Sequence, residues 1–179
     1  MAENSLAELT KVVTELTESG QPLGPAIFVK ISENIAKAFD ANPDEVAILT
    51  LIHGGKFLQF VVPEKLQKVG DIPMTSTNSV AVRTARERRP EVINNFATAR
   101  HPTVFEAVPL GQQRGEPIQK IMSAPVSADG KVLGVIQVSR KGKNLGAVGP
   151  DFTPKELNVL VAIGGKLGAC LKLYQADSL

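Results

Sequence analysis

A chain of 179 residues, 43% of them hydrophobic, can bury one core without help from disulfides or metal. Its single cysteine, Cys170, excludes an internal disulfide and a multi-cysteine zinc site and fits a reducing compartment. A net charge of +2 without a dense Lys/Arg stripe argues against a nucleic-acid partner; no run of about 18 apolar residues or secretory leader stands out, so the expectation is a cytoplasmic protein without membrane insertion.

Leu6, Leu9, Val12, Val13 and Leu16 recur at helical spacing between Ser5 and the Ser19-Gly20 stop, which describes one amphipathic helix. QPLGP breaks the chain, and a second helix follows from about Pro25, with Ile27, Ile31, Ile35 and Phe39 on one stripe. EVAILTLI and KFLQFVV are rich in strand formers around His53-Gly54-Gly55, so Val46 to Val62 is expected to be a hairpin.

DIPMTSTNS is too polar for a central strand. Asn78 or Ser79 can cap a helix running to about Arg89, where Pro90 limits it, and EVINNF is a short strand candidate. HPTVFEAV suggests a brief helix and PLGQQRGEP a loop.

Ile118 to Lys141 forms two apolar runs hinged at Asp129-Gly130, the pair that suits the positive φ of a type I′ turn. A two-residue loop pairs Ala128 with Lys131. It predicts Val126–Leu133, Ala124–Val135 and Met122–Gln137 on one face, with Pro125–Gly134, Ser123–Ile136 and Ile121–Val138 on the other. Thr153, Pro154 and Glu156 then open a last helix to about Tyr174 with a capping box. Gly164, Gly165 and Gly168 weaken that helix, so either the sheet beneath or a twin helix gains from their smallness.

The hairpin APVSADGKVLGVIQVSRKG, the helix FTPKELNVLVAIGGKLGACL and the preceding IPMTSTNSVAVRTARERRPEVINNF together resemble the GAF domain family over roughly Ile27 to Leu173. The resemblance implies an α+β fold: a six-stranded antiparallel sheet, N- and C-terminal helices on one face, and loops and short helices over a small-molecule pocket on the other. It divides the chain into an N-terminal helix and linker (1–24), a GAF-like domain (25–174) and a tail (175–179). It further implies a regulatory module that binds cyclic nucleotides, bilins, haem or small metabolites, or only dimerises, commonly through its terminal helices at 5–18, 25–39 and 154–174. A separate signalling partner protein would then receive the output.

Departures from the family's patterns narrow the ligand without naming it or any cofactor. Where cyclic-nucleotide binders carry Asn-Lys, Phe and Asp-Glu, this chain has Arg140-Lys141, Phe152 and Glu156-Leu157, with Lys141 and Glu156 placed to pair across the strand-helix junction. Bilin attachment and the family's free methionine sulfoxide reductases need pocket cysteines, whereas Cys170 lies in the last helix as a small buried hydrophobe. A non-catalytic sensor is therefore expected, with a reductase and a ligand-free interaction scaffold as alternatives.

Thr75, Ser76, Thr77, Asn78 and Ser79 precede a helix whose free amides favour an anion, or they serve as cap and loop alone. With family geometry, Thr75, Ser76, Asn78 and Ser79 join Asn94, Asn95 and Phe96 as pocket-wall candidates. Met122 and Gln137, paired in the hairpin, complete the set, the Gln137 amide either reaching the ligand or bonding a neighbouring loop. Arg83, Arg86, Arg88, Arg89 and Arg100 suit a solvated helix surface, and His53 and His101 surface loops, with no metal-ligand spacing.

Overall fold

The computed structural model describes residues 2–19, 23–96 and 117–177. The expected helix at HPTVFEAV and the residues Arg100 and His101 lie outside the described residues. Helices α1 (Ala2–Glu18) and α2 (Pro25–Ala38) precede strands β1 (Val46–Ile52), β2 (Phe57–Val62) and β3 (Ile72–Pro73). Helix α3 (Val80–Glu87) and strand β4 (Glu91–Ile93) follow, then β5 (Ile118–Ala128), β6 (Lys131–Lys141) and helix α4 (Pro154–Asp177). The strands form one antiparallel sheet in the order β3-β2-β1-β6-β5-β4.

Helices α1, α2 and α4 cover one face of the sheet. Leu9 and Val13 of α1, Phe28, Ile31 and Ile35 of α2, and Leu160, Ile163 and Leu167 of α4 pack with Val46, Ile48, Met122, Ala124, Ile136 and Val138 in the main core. The other face carries α3, whose Ala81, Val82 and Ala85 meet Leu49, Leu58, Phe60 and Val135. A smaller cluster on that side joins Val80, Phe96, Ile118 and Ile121.

Local chemistry sets the element ends much as read from sequence. The Asp129-Gly130 turn has φ of 53° and 75°, both in the left-handed region that such a turn needs. Ser79 Oγ accepts the Val82 amide at 3.2 Å and starts α3, which ends at Glu87, short of the expected Arg89, because Arg88 turns left-handed at φ 57°. At α4, Glu156 Oε1 accepts the Thr153 amide at 3.0 Å and Thr153 Oγ1 accepts the Glu156 amide at 3.2 Å. Glu156 is thus engaged in its own cap. The expected Lys141–Glu156 pair is replaced by Lys141 Nζ donating to the Asp44 carbonyl at 3.1 Å.

The hairpin register departs from the prediction after the first pair. Ala128 faces Lys131 and Ser127 faces Val132, but Val126 then faces Gly134, leaving Leu133 as an extra residue. This bulge advances β6 by one position, so Gln137 faces Ser123 and Val138 faces Met122. Met122 therefore lies among the helices, on the opposite face from Gln137.

Helix α4 corrects a second expectation, since Pro154–Tyr174 is long and apolar enough by length and composition to cross a bilayer. Counting uninterrupted apolar residues missed it because Lys166 and Lys172 punctuate the run. Its apolar stripe, Leu160, Ile163, Leu167 and Leu171, is fully buried on the sheet and core.

The glycines allow that approach. A Cβ on Gly164 would collide with the Pro125 carbonyl oxygen, and one on Gly168 with that of Ser127, whereas Gly165 has open space around it. Because the obstacle at Gly168 is strand backbone, Gly168→Ala is expected to cost about 1–3 kcal/mol by overpacking. Urea denaturation checks this; an unchanged midpoint would show that α4 does not depend on the close contact.

Candidate functional site

On the sheet face opposite α1, α2 and α4, a cavity of about 30 Å3 opens between the short 3-10 turn Pro43–Glu45, a second one at Glu64–Val69, and the ends of β1, β2, β5 and β6. That space suits a water molecule or a small head group. Its apolar wall is Ala47, Phe60, Pro63, Leu66, Ile118 and Ile121; Asp44, Glu45, Gln137, Ser139 and Lys141 supply the polar part. Ile118 and Ile121 are three apart yet share this wall because the β5 register shifts between Ile118 and Lys120.

The polar groups are held by the fold. Glu45, 9% exposed, accepts the Asn42 amide through Oε1 at 2.9 Å and the Lys141 amide through Oε2 at 2.6 Å. Ser139 Oγ donates to the Glu45 carbonyl at 3.3 Å. Burial pushes the Lys141 ammonium below the ordinary lysine range, against the raising effect of Asp44 and then Glu45.

Beneath α3, buried hydroxyls form a directional chain. Thr84 Oγ1 donates to the Val80 carbonyl at 2.9 Å, which leaves it to accept from Ser123 Oγ at 2.7 Å. Ser123, with its proton so used, accepts from Gln137 Nε2 at 3.2 Å. The Gln137 carbonyl oxygen is then left without a protein partner among the described residues, on a side chain only 4% exposed. A bare buried acceptor of this kind costs about 1–3 kcal/mol.

Of the nine residues singled out by sequence, only Gln137 lines this cavity. Phe96 is buried behind it against Ile118 and Ile121. Met122, fully buried in the helix-side core with Ala124 and Val126, is a correction: the Leu133 bulge parts it from Gln137, which faces the cavity. Asn94 clasps the chain ahead of α4, its Oδ1 accepting the Phe152 amide at 2.9 Å and its Nδ2 donating to the Phe152 carbonyl at 3.0 Å.

Ser79 is occupied as the α3 cap. Ser76 Oγ accepts the Asn78 amide at 3.3 Å, and Thr75, Asn78 and Asn95 are exposed. Arg86, Arg88 and Arg89 are exposed as expected, whereas Arg83 makes a fork with Glu91, Nη2 to Oε2 at 2.7 Å and Nε to Oε1 at 3.0 Å.

Glu45, Ser139, Lys141, Ser123 and Thr84 escaped the sequence reading. The Asn42-x-x-Glu45 spacing of a capping box was the one signal available for Glu45. Nothing local marks the others.

One strand end joins the two sides of the sheet. Next to Lys141, Arg140 turns to the helix side, where its guanidinium lies 4.4 Å above the Phe152 ring. It donates to the carbonyls of Pro150 at 3.1 Å, Asp40 at 3.3 Å and Phe39 at 3.4 Å, bridging the end of α2 and the approach to α4. Cys170 is also on the helix side, buried, with Sγ 3.8 Å from Thr17 Oγ1. Burial raises its pKa although Thr17 opposes this. Among the described residues no group of three His, Cys, Asp or Glu side chains could hold a metal ion.

Residues 25–171 match the GAF domain model, and the chain belongs to that family. No curated protein matches the sequence. Among solved structures, the fold resembles the GAF domain of an Acinetobacter phosphoenolpyruvate-protein phosphotransferase, 13% identical, at a TM-score of 0.70 over 99% of this chain and 97% of that one. It also resembles free methionine-R-sulfoxide reductase from Neisseria meningitidis in complex with its substrate, 13% identical, at 0.68 over 99% and 92%. The second GAF domain of DevS from Mycobacterium smegmatis, 16% identical, gives 0.57 over 86% and 97%. These likenesses concern the fold.

The Lys141 environment has a consequence for pH. Its folded-state pKa is depressed, so the unfolded chain holds that proton more tightly, and the resulting penalty fades as pH rises toward the unfolded value of about 10.4. The stability of wild type relative to Lys141→Met should therefore rise between pH 7 and pH 10 in urea denaturation. A constant difference would mean the ammonium is as well solvated folded as unfolded.

Proposed function

We propose that this chain is a non-catalytic, small-molecule-sensing GAF module of the cytoplasm, which dimerises through its terminal helices and reports ligand occupancy to a separate signalling protein. The observation that carries the reading is the buried Gln137 carbonyl, without a partner among the described residues, in a cavity of mixed lining. A packed core satisfies its polar groups, and an acceptor left open beside a hollow is a place for something else to bind. Helix α4 serves as a core helix in this reading, its apolar stripe spent on the sheet.

Signal transfer follows from the end of β6. Glu45 holds the Lys141 backbone on the cavity side while Arg140 holds the ends of α2 and the α4 approach on the other. A ligand that favours one position of this strand end shifts the helices with it, provided it binds the two arrangements unequally. For the dimer, Gly165 is the supporting feature: Val161 and Ala162 nearby are exposed, and among the described residues nothing outside its own stretch of helix lies within 4 Å of where its Cβ would be. A close-packing twin helix would use that bare stretch.

The reductase reading has structural neighbours in its favour, the Neisseria enzyme among them. Its chemistry needs thiols at the pocket, and the chain's single thiol sits across the sheet, buried against α1. A ligand-free scaffold remains the third reading, in keeping with so small a cavity.

Native mass spectrometry under gentle and denaturing conditions is expected to show a dimer carrying a small molecule. At a hundred times its Kd that molecule should add about 2.7 kcal/mol of stability, and Gln137→Leu should remove most of the gain. A metabolite screen in which no compound changes the melting temperature would favour the scaffold. Turnover of free methionine sulfoxide with a thiol reductant, abolished in Cys170→Ser, would establish the reductase. For the helix interface, Gly165→Arg should leave the melting temperature of the subunit intact while halving the sedimenting mass; an unaltered dimer would place the interface elsewhere.

A further inference from the structure

Among the described residues, each donor group that lines the cavity has at least one partner within the chain. Gln137 Nε2 is held by Ser123 Oγ at 3.2 Å, and the Ser139 hydroxyl by the Glu45 carbonyl at 3.3 Å. The Lys141 amide is held by Glu45 Oε2 at 2.6 Å, and its ammonium reaches the Asp44 carbonyl at 3.1 Å on the exposed rim. Acceptor capacity among the lining residues is left at Gln137 Oε1, Ser139 Oγ and the Glu45 carboxylate. Turning the amide over would require Thr84 to give up the Val80 carbonyl so that Ser123 could donate to Gln137.

We propose, on the reading that this cavity is the ligand site, that it receives the nitrogen end of its ligand: a primary carboxamide or ammonium group on a short apolar body. The N–H head bonds Gln137 Oε1, with Ser139 and Glu45 as further acceptors, and the body lies along Phe60, Leu66, Ile118 and Ile121. A carboxylate head would find Lys141 at the rim. Farther in, it would set its oxygens against Gln137 Oε1 and the Glu45 carboxylate, where oxygens of like charge repel.

Three four-carbon probes separate these chemistries: butyramide, butylammonium and butyrate. In titrations of isotopically labelled protein, butyramide or butylammonium should shift the Gln137 side-chain amide and the backbone of Ser139 and Ile121, with a dissociation constant at least tenfold below that of butyrate. Gln137→Leu should weaken the better probe at least tenfold. Wild type alone decides the preference, so the conclusion survives if that variant fails to fold. Butyrate binding here as tightly as the nitrogen probes would overturn the donor preference yet leave a small-molecule cavity standing. No shift at these residues with any of the three would remove both the preference and the cavity as the ligand site.

Discussion

One extra residue in the central hairpin governs the rest of the molecule. Because Leu133 is accommodated as a bulge, the remainder of β6 presents Ile136 and Val138 to the helices and Val135, Gln137 and Ser139 to the other face. The same shift takes Gln137 off the face that Met122 shares with Ala124 and Val126 and brings it opposite Ser123. In a strand, side chains alternate, so a single inserted residue exchanges the faces of everything beyond it. A hollow with polar groups on one side and a continuous aliphatic core on the other both depend on that exchange.

The helix side is correspondingly intolerant. Strand β5 receives α4 through Gly164 and Gly168, whose missing side chains bring helix backbone against strand carbonyls. That contact lets Leu160, Ile163, Leu167 and Cys170 disappear completely from solvent in a helix that composition alone would permit in a membrane. Polar groups on the two faces meet only at strand ends: Glu45 and Lys141 on one side, Arg140 with the α2 carbonyls and Phe152 on the other. The end of β6 links the cavity side to the helix side through polar contacts.

The cavity carries its polar groups on a fixed frame. Most of its buried polarity is fixed by bonds within the chain, which preorganises it, and the exception is a carbonyl oxygen supported from behind by two hydroxyls. Such an arrangement keeps the acceptor in place before any ligand arrives, so ordering it costs a ligand little. The family's catalytic members put thiols to use, whereas this chain keeps its thiol beneath α1.

Local rules written in the chain were sufficient for the elements and their limits. Asp129-Gly130 demanded a tight turn, Ser79 and Thr153 demanded helix starts, and the apolar spacing of α1, α2 and α4 marked their buried stripes, because each depends on a few neighbouring residues. The two-residue strand β3 escaped, since it exists only through its pairing with Phe57 and Leu58. The choice between sheet and twin helix for Gly164 and Gly168, the engagement of Arg83 by Glu91, and the meeting of Gln137 with Ser123 and Thr84 were likewise settled by contacts between distant segments. The sequence by itself determined which segments fold and which faces are apolar; tertiary packing decided which residues face the hollow, because a bulge is set by how two strands fit together and not by the preference of either.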